Sequence, residues 1–188
     1  MNIKNFEEKQ ISSEQFFEGR VLRMFKDVIE LPNGRTSTRE YARHMGAVGI
    51  VPITPDNQVI CVKQYRYPIA SVVLEIPAGK LDYKGEIPED AAKRELREET
   101  GATSGKLTYI GRYFSAPAII DECVHLYLAE DLEFGETDLD EDEFVEVVKY
   151  PLDELVEMVM NGEIIDGKTQ SAIMRTYFII QKRKETQN

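Results

Sequence analysis

One stretch of this 188-residue chain, GKLDYKGEIPEDAAKRELREETGA from position 79 to 102, restricts the possible folds more than any other. Pro88 suits the first turn of a helix and Gly101 the position just past its end. Ala91, Ala92, Glu95, Leu96 and Glu99 recur at helical spacing between them, so a helix is expected over Pro88–Thr100. At about 100° per residue, Glu95 and Glu99 stand one turn apart on one face, with Glu98 about 60° from Glu95. Three carboxylates therefore point into one wedge of space, and like charges at that spacing repel by about 0.2–0.5 kcal/mol per pair. A cation would relieve the repulsion, and an all-oxygen set suits a hard ion such as Mg²⁺ or Mn²⁺. The competing explanation is a solvated surface helix, since Glu89 with Lys93, Asp90 with Arg94 and Arg94 with Glu98 form favourable pairs four residues apart.

Elsewhere strands dominate. Period-two alternation marks strands near 14–31 and 35–44, joined by LPNGR, whose Asn-Gly is a hairpin signal; together they suggest an N-terminal antiparallel sheet. The apolar stretches 46–54 and 58–64 read as central strands around a Pro55, Asp56, Asn57 turn, and VVLEIPAG ends a further one. Strands are also expected near 105–114 and 123–130 and at FVEVVKY, with helices over 151–160 and 168–184. Few helices, placed late, indicate a mixed α/β or α+β class rather than a doubly wound parallel sheet.

Ten of the 34 acidic residues lie between Glu130 and Glu146, where there is no Lys or Arg; removing those ten charges from the net −11 leaves the rest of the chain near −1. This is a nearly neutral domain with one acidic loop, which argues against nucleic acid as a partner. No apolar run reaches the roughly 18 residues a spanning helix needs, and MNIKNFEEKQ has no apolar stretch after a basic start. No membrane association and a cytoplasmic setting are expected. Cys61 and Cys123 lie far apart in apolar surroundings, as buried reduced thiols would, and two histidines with no CxxC argue against zinc.

The frame around the helix resembles the Nudix hydrolase box, matched by Gly79, Glu86, Arg94, Glu95, Leu96, Glu98, Glu99, Gly101 and Ala102. Chance agreement at its Gly, Glu and Arg positions is on the order of a few in a million per chain. One departure stands out: six residues rather than five separate Gly79 from Glu86, in the loop before the helix. Beyond the box, HMGAVGIVPI, VKQYRYPIASVVLEIPAGKLD, SAPAIIDECVHLYLAEDL and DEDEFVEVVKYPLDEL resemble the ADP-ribose pyrophosphatase branch of that family. A proline downstream of the last box glycine distinguishes that branch, and Pro117 stands at that distance from Gly101; a structural turn proline is the competing explanation.

The resemblance implies an α/β fold, a mixed-sheet α/β/α sandwich over 45–188, with an N-terminal antiparallel β extension over 1–44 that forms a homodimer by exchanging strands. It implies Mg²⁺-dependent, or Mn²⁺-dependent, hydrolysis of ADP-ribose to AMP and ribose 5-phosphate. The alternatives are another nucleoside diphosphate sugar or dinucleotide as substrate, or a module that binds ADP-ribose without cleaving it. Glu95, Glu99, Glu98 and the Ala78 carbonyl are then the metal ligands, with Arg94 orienting the carboxylates. Glu86 is either a supporting group behind them or a helix N-terminal charge. The general base is sought in DEDEFVE, Glu143 first and Glu141 second. Arg66 and Arg112 become phosphate or ribose contacts, against surface ion pairs as the alternative. Arg43, Glu40 and Tyr41 would meet the adenine, Glu122 the terminal ribose or a metal, while His44 and His125 read as structural.

Overall fold

The computed structural model describes residues 5–83, 85–139 and 144–187. These divide into two compact units, one of Met1–Met45 with Phe114–Glu122 and one of Gly46–Tyr113 with Cys123–Asn188.

In the first unit, β1 (Lys9–Glu18), β2 (Arg23–Glu30) and β3 (Thr36–Arg43) form an antiparallel sheet in that order. The expected single strand over 14–31 is in fact two. Alternation runs on through the break, but at Gly19 the backbone N–H bonds the Leu22 carbonyl at 2.8 Å and turns the chain. The hairpin at LPNGR forms as expected, with Leu31 N–H donating to the Arg35 carbonyl at 2.8 Å. The segment Phe114–Glu122 docks on β3: Ala42 N–H bonds the Ile119 carbonyl at 2.8 Å, and Asp121 Oδ1 accepts from His44 N–H at 2.8 Å.

The second unit has two sheets. One orders β7 (Ala78–Lys80), β4 (Ala47–Pro52), β9 (Cys123–Phe134) and β8 (Ala102–Phe114), with β4 parallel to β9 and antiparallel to β7. The other orders β10 (Val145–Pro151), β5 (Gln58–Arg66) and β6 (Ser71–Glu75), all antiparallel. Three helices complete it: α1 (Pro88–Thr100), α2 (Leu152–Met160) and α3 (Gly167–Gln187). Alternation along β4 sends Val48 and Ile50 to one face, where they pack with Ala91, Ala92 and Leu96 of α1. Val51, with Ile53 just past the strand's end, goes to the other, against Leu152 and Leu155 of α2 and Ala172 and Ile173 of α3. Helices on both faces of a mixed sheet make this an α/β fold of sandwich type. Strand β7, three residues long, has too little sequence to show a period, yet it sets Ala78 and Gly79 beside α1.

Candidate active site

Helix α1 begins at Pro88 and ends at Gly101, which adopts φ +67°, where a side chain would collide with the Gly135 carbonyl. Its inner face carries Ala91, Ala92 and Leu96 into the core and, unusually, buries two acids, Glu95 and Glu99, to 9% and 3% exposure. Buried carboxylates must be paired or bonded. Arg94 does much of that, giving Nη1 to Glu95 Oε1 at 2.7 Å and to Glu98 Oε2 at 3.0 Å, with Nη2 bonding the Lys80 carbonyl at 3.3 Å. Asp82 and Glu86 approach the same guanidinium at 3.3 and 3.5 Å. Glu86 also accepts the Asp82 N–H at 2.7 Å, so it braces both Arg94 and the loop before the helix. Partial burial works against the Arg94 charge, but Glu95, Asp82 and Glu98 more than offset it, and its pKa stands above the ordinary arginine value. Glu99 Oε2 accepts the Ala78 N–H at 3.0 Å. A Cβ on Gly79 would overlap the Glu95 carboxylate, which accounts for glycine there.

These groups line a cavity of about 340 Å³ that also takes in Gln64, Arg66 and Asp138. Five acids (Asp82, Glu95, Glu98, Glu99, Asp138) face it against three bases (Arg66, Lys80, Arg94). Among the described residues no three His, Cys, Asp or Glu side chains already close around one point. Even so, a set of carboxylate and carbonyl oxygens with excess negative charge has the donor chemistry of a hard divalent cation. Arg66 lies on the cavity wall and at the same time forms a fork on buried Glu75, an ion pair with one partner inside the fold rather than on its surface.

In the first unit, Tyr41, Arg43 and Pro117 line a second cavity of about 370 Å³. Tyr41 stacks on Phe25 at 5.6 Å, and the Arg43 guanidinium lies 4.9 Å over the Phe25 ring. Glu40 instead pairs with Lys26 at 3.5 Å and does not line this cavity, and Glu122 stands 3.7 Å from His44 Nδ1. Arg112, exposed on β8, lines neither cavity; its carbonyl accepts Arg175 Nη2 at 3.3 Å. Glu141 and Glu143 lie outside the described residues. His125 has its pKa lowered by burial and then by Arg112.

Three site groups escaped the sequence. Asp138 lies in the acidic loop, and its N–H bonds the Glu98 carbonyl at 2.9 Å, a contact no periodicity announces. Glu75 and Lys168 meet Arg66 from distant segments. The available signal was Glu75 itself, a charge inside the apolar run VVLEI.

The chain is 47% identical over 173 residues to an ADP-ribose pyrophosphatase of Bacillus subtilis, covering 91% of this chain and 93% of that one. It is 45% identical over 172 residues to a methanol dehydrogenase activator of Bacillus methanolicus, covering 90% and 92%. In fold it resembles a crystal structure of an ADP compounds hydrolase, with TM-score 0.83, 24% identity, and 94% and 96% of the two chains covered. Residues 43–169 match the NUDIX domain, carboxylate helix and Arg66 included, and the chain belongs to that family.

Proposed function

We propose that the protein hydrolyses the pyrophosphate bond of ADP-ribose, giving AMP and ribose 5-phosphate. The observation that carries this reading is the trio Glu95, Glu98 and Glu99, the first two held by Arg94 and the third by the Ala78 N–H, on the wall of a cavity that also presents Arg66. The name of the Bacillus subtilis relative supports the substrate. Nudix hydrolases generally depend on a divalent metal. Glu95, Glu98 and Glu99, with the Ala78 carbonyl, would hold Mg²⁺, or Mn²⁺ in its place. When bound, such an ion neutralises phosphate charge and lowers the pKa of water.

The chain's own groups do the rest. Arg94 fixes the Glu95 and Glu98 carboxylates through charge-assisted hydrogen bonds. Arg66 offers a guanidinium to phosphate oxygens. Glu143, or next Glu141, takes the proton of the attacking water; that Asp138 of the same loop lines the cavity supports this choice. Tyr41, Arg43 and Glu40 serve the adenine, and Pro117, Glu122 and Arg112 are further substrate contacts. We also infer a homodimer with exchanged N-terminal strands, supported by β1, which is exposed at all ten positions with Ile11, Phe16 and Phe17 among them. A cytoplasmic setting suits Cys61 and Cys123, which are free thiols.

The test is mass spectrometry of the products formed from ADP-ribose in ¹⁸O water with and without Mg²⁺. Magnesium-dependent AMP and ribose 5-phosphate, one of them carrying ¹⁸O, is the expected result. Intact ADP-ribose with Mg²⁺, and again with Mn²⁺ in its place, would remove the assignment. Turnover of other nucleoside diphosphate sugars or dinucleotides in parallel reactions would then give the alternative substrate.

A further inference from the structure

Alternation along β6 turns Glu75 to the same buried side as Val73, where an apolar residue would ordinarily sit, and leaves the acid 2% exposed. Two cations meet it there. Arg66 gives Nε to Oε1 and Nη2 to Oε2, both at 2.7 Å, the parallel fork that fixes a guanidinium plane. Lys168 Nζ bonds Oε2 as well and lies 3.1 Å from Asp166 Oδ2.

Asp166 in turn caps α3. Its Oδ2 accepts the Thr169 N–H at 2.9 Å and the Thr169 hydroxyl at 2.5 Å, while Thr169 Oγ1 accepts the Ile76 N–H at 3.0 Å. The start of α3 thus pins the end of β6, both through Lys168 on Glu75 and through Thr169 on the next residue. The Arg66 edge formed by Nε and Nη2 is taken up by Glu75. Among the described residues, Nη1 bonds nothing, and Arg66 lines the cavity beside Glu95, Glu98 and Glu99.

We propose that Glu75 and Lys168 are positioning residues, which hold the Arg66 guanidinium on the cavity wall as a preformed receptor for a phosphate of the substrate. This deepens the function proposed above and rests on it for the identity of the phosphate. A long arginine loses rotamer freedom when it grips an anion, and a guanidinium already fixed along one edge has less to lose. Lys168 matters because it shares the Glu75 charge. With Lys168 removed, Glu75 would belong to Arg66 alone and would quench its attraction for phosphate more fully.

The experiment is a double-mutant cycle on the full chain, comparing wild type, K168M, R66A and R66A/K168M in kcat and KM for ADP-ribose, with Lys168→Arg as the conservative variant and Lys168→Gln in place of K168M should that protein not fold. We expect K168M to raise KM about tenfold with kcat changed less than about twofold, and K168R to recover most of the loss. In the R66A background the same change should move KM less than about twofold, because the residue it positions is gone. A merely structural lysine would act equally in both backgrounds. That result, or an unchanged KM for K168M beside Arg66, overturns the proposal. If wild type leaves ADP-ribose intact, the function proposed above fails instead. The same four proteins are then titrated calorimetrically with inorganic pyrophosphate. A Kd raised by K168M only where Arg66 is present sustains the clamp, and equal values or no binding by wild type overturn it.

Discussion

Strands β4 and β1 show two ways of using apolar residues. Every residue of β4 after its first is buried, its two faces filling two core clusters under α1 and against α2 and α3. Every residue of β1 is exposed, although Ile11, Phe16 and Phe17 are as apolar as anything in β4. The second unit covers its own sheet, and α1, packed on it through Ala91, Ala92 and Leu96, buries Glu95 and Glu99 where Arg94 and the Ala78 N–H pair with them. In the first unit β1 leaves about half of the Ile11, Phe16 and Phe17 side chains exposed, apolar surface of the kind the proposed dimer would cover.

The sharpest test of that contrast is stability. Leu96 is fully buried between α1 and β4, so Leu96→Ala should cost about 2–5 kcal/mol in urea unfolding, lost transfer energy plus a cavity. Ile11→Ala, measured at low protein concentration, should change it by less than about 0.5 kcal/mol. Comparable losses would mean that β1 is stabilised within its own chain, and the contrast would break.

Next in size is a loss of turnover without a loss of fold. Glu99→Gln keeps an oxygen for the Ala78 N–H but removes the charge, so turnover of ADP-ribose should fall at least about a hundredfold while the urea midpoint hardly moves. Retained turnover would dismiss Glu99 as a metal ligand and leave the cavity's acid excess as packing.

How much of this was legible in the sequence follows from the same contrast. Helix α1 was legible to the residue, since Pro88 and Gly101 punctuate it and its inner face repeats at helical spacing. The carboxylate wedge was legible with it, because a helix fixes the directions of its side chains. The β1–β2 boundary was not: alternation persists through Gly19, and only a backbone bond to Leu22 marks the turn. Nor was the meeting of Arg66, Glu75 and Lys168, three segments that tertiary packing alone brings together. The place of Glu40 was not legible either: it pairs with Lys26 and does not line the cavity that Tyr41 and Arg43 line, a difference that strand alternation does not announce.

A smaller effect is expected from the exposed strand itself. If β1 meets a second copy, Phe16→Ser and Phe17→Ser should each weaken association about tenfold, or about 1.4 kcal/mol, with unfolding of the dissociated protomer unchanged. Light scattering across a dilution series reads this directly, the mass passing from twice 21.5 kDa toward 21.5 kDa at higher concentration than for wild type. A wild-type mass of 21.5 kDa throughout would refute the dimer and leave the exposed phenylalanines for a different partner.

The smallest effect lies in acid. Burial pushes the Glu75 carboxyl up, but the Arg66 fork and then Lys168 outweigh it, and its pKa sits below the ordinary value of 4.5. With the folded value below the unfolded one, the unfolded chain takes up this proton first as the pH drops. The stabilisation is therefore complete above about pH 4.5 and disappears as pH falls through the folded value. Glu130 behaves alike: burial raises its carboxyl, and Arg183 and Lys106 bring it below the same reference. Glu75→Gln removes one of these two groups, so its deficit against wild type should be widest at neutral pH and should narrow on acidification, with part of the acid dependence surviving through Glu130. Urea unfolding at intervals from about pH 7 to about pH 3 measures the deficit. A gap that stays constant across that range would mean that the Glu75→Gln change hurts by shape alone, and that the charge between Arg66 and Lys168 is not what holds this end of β6 in place.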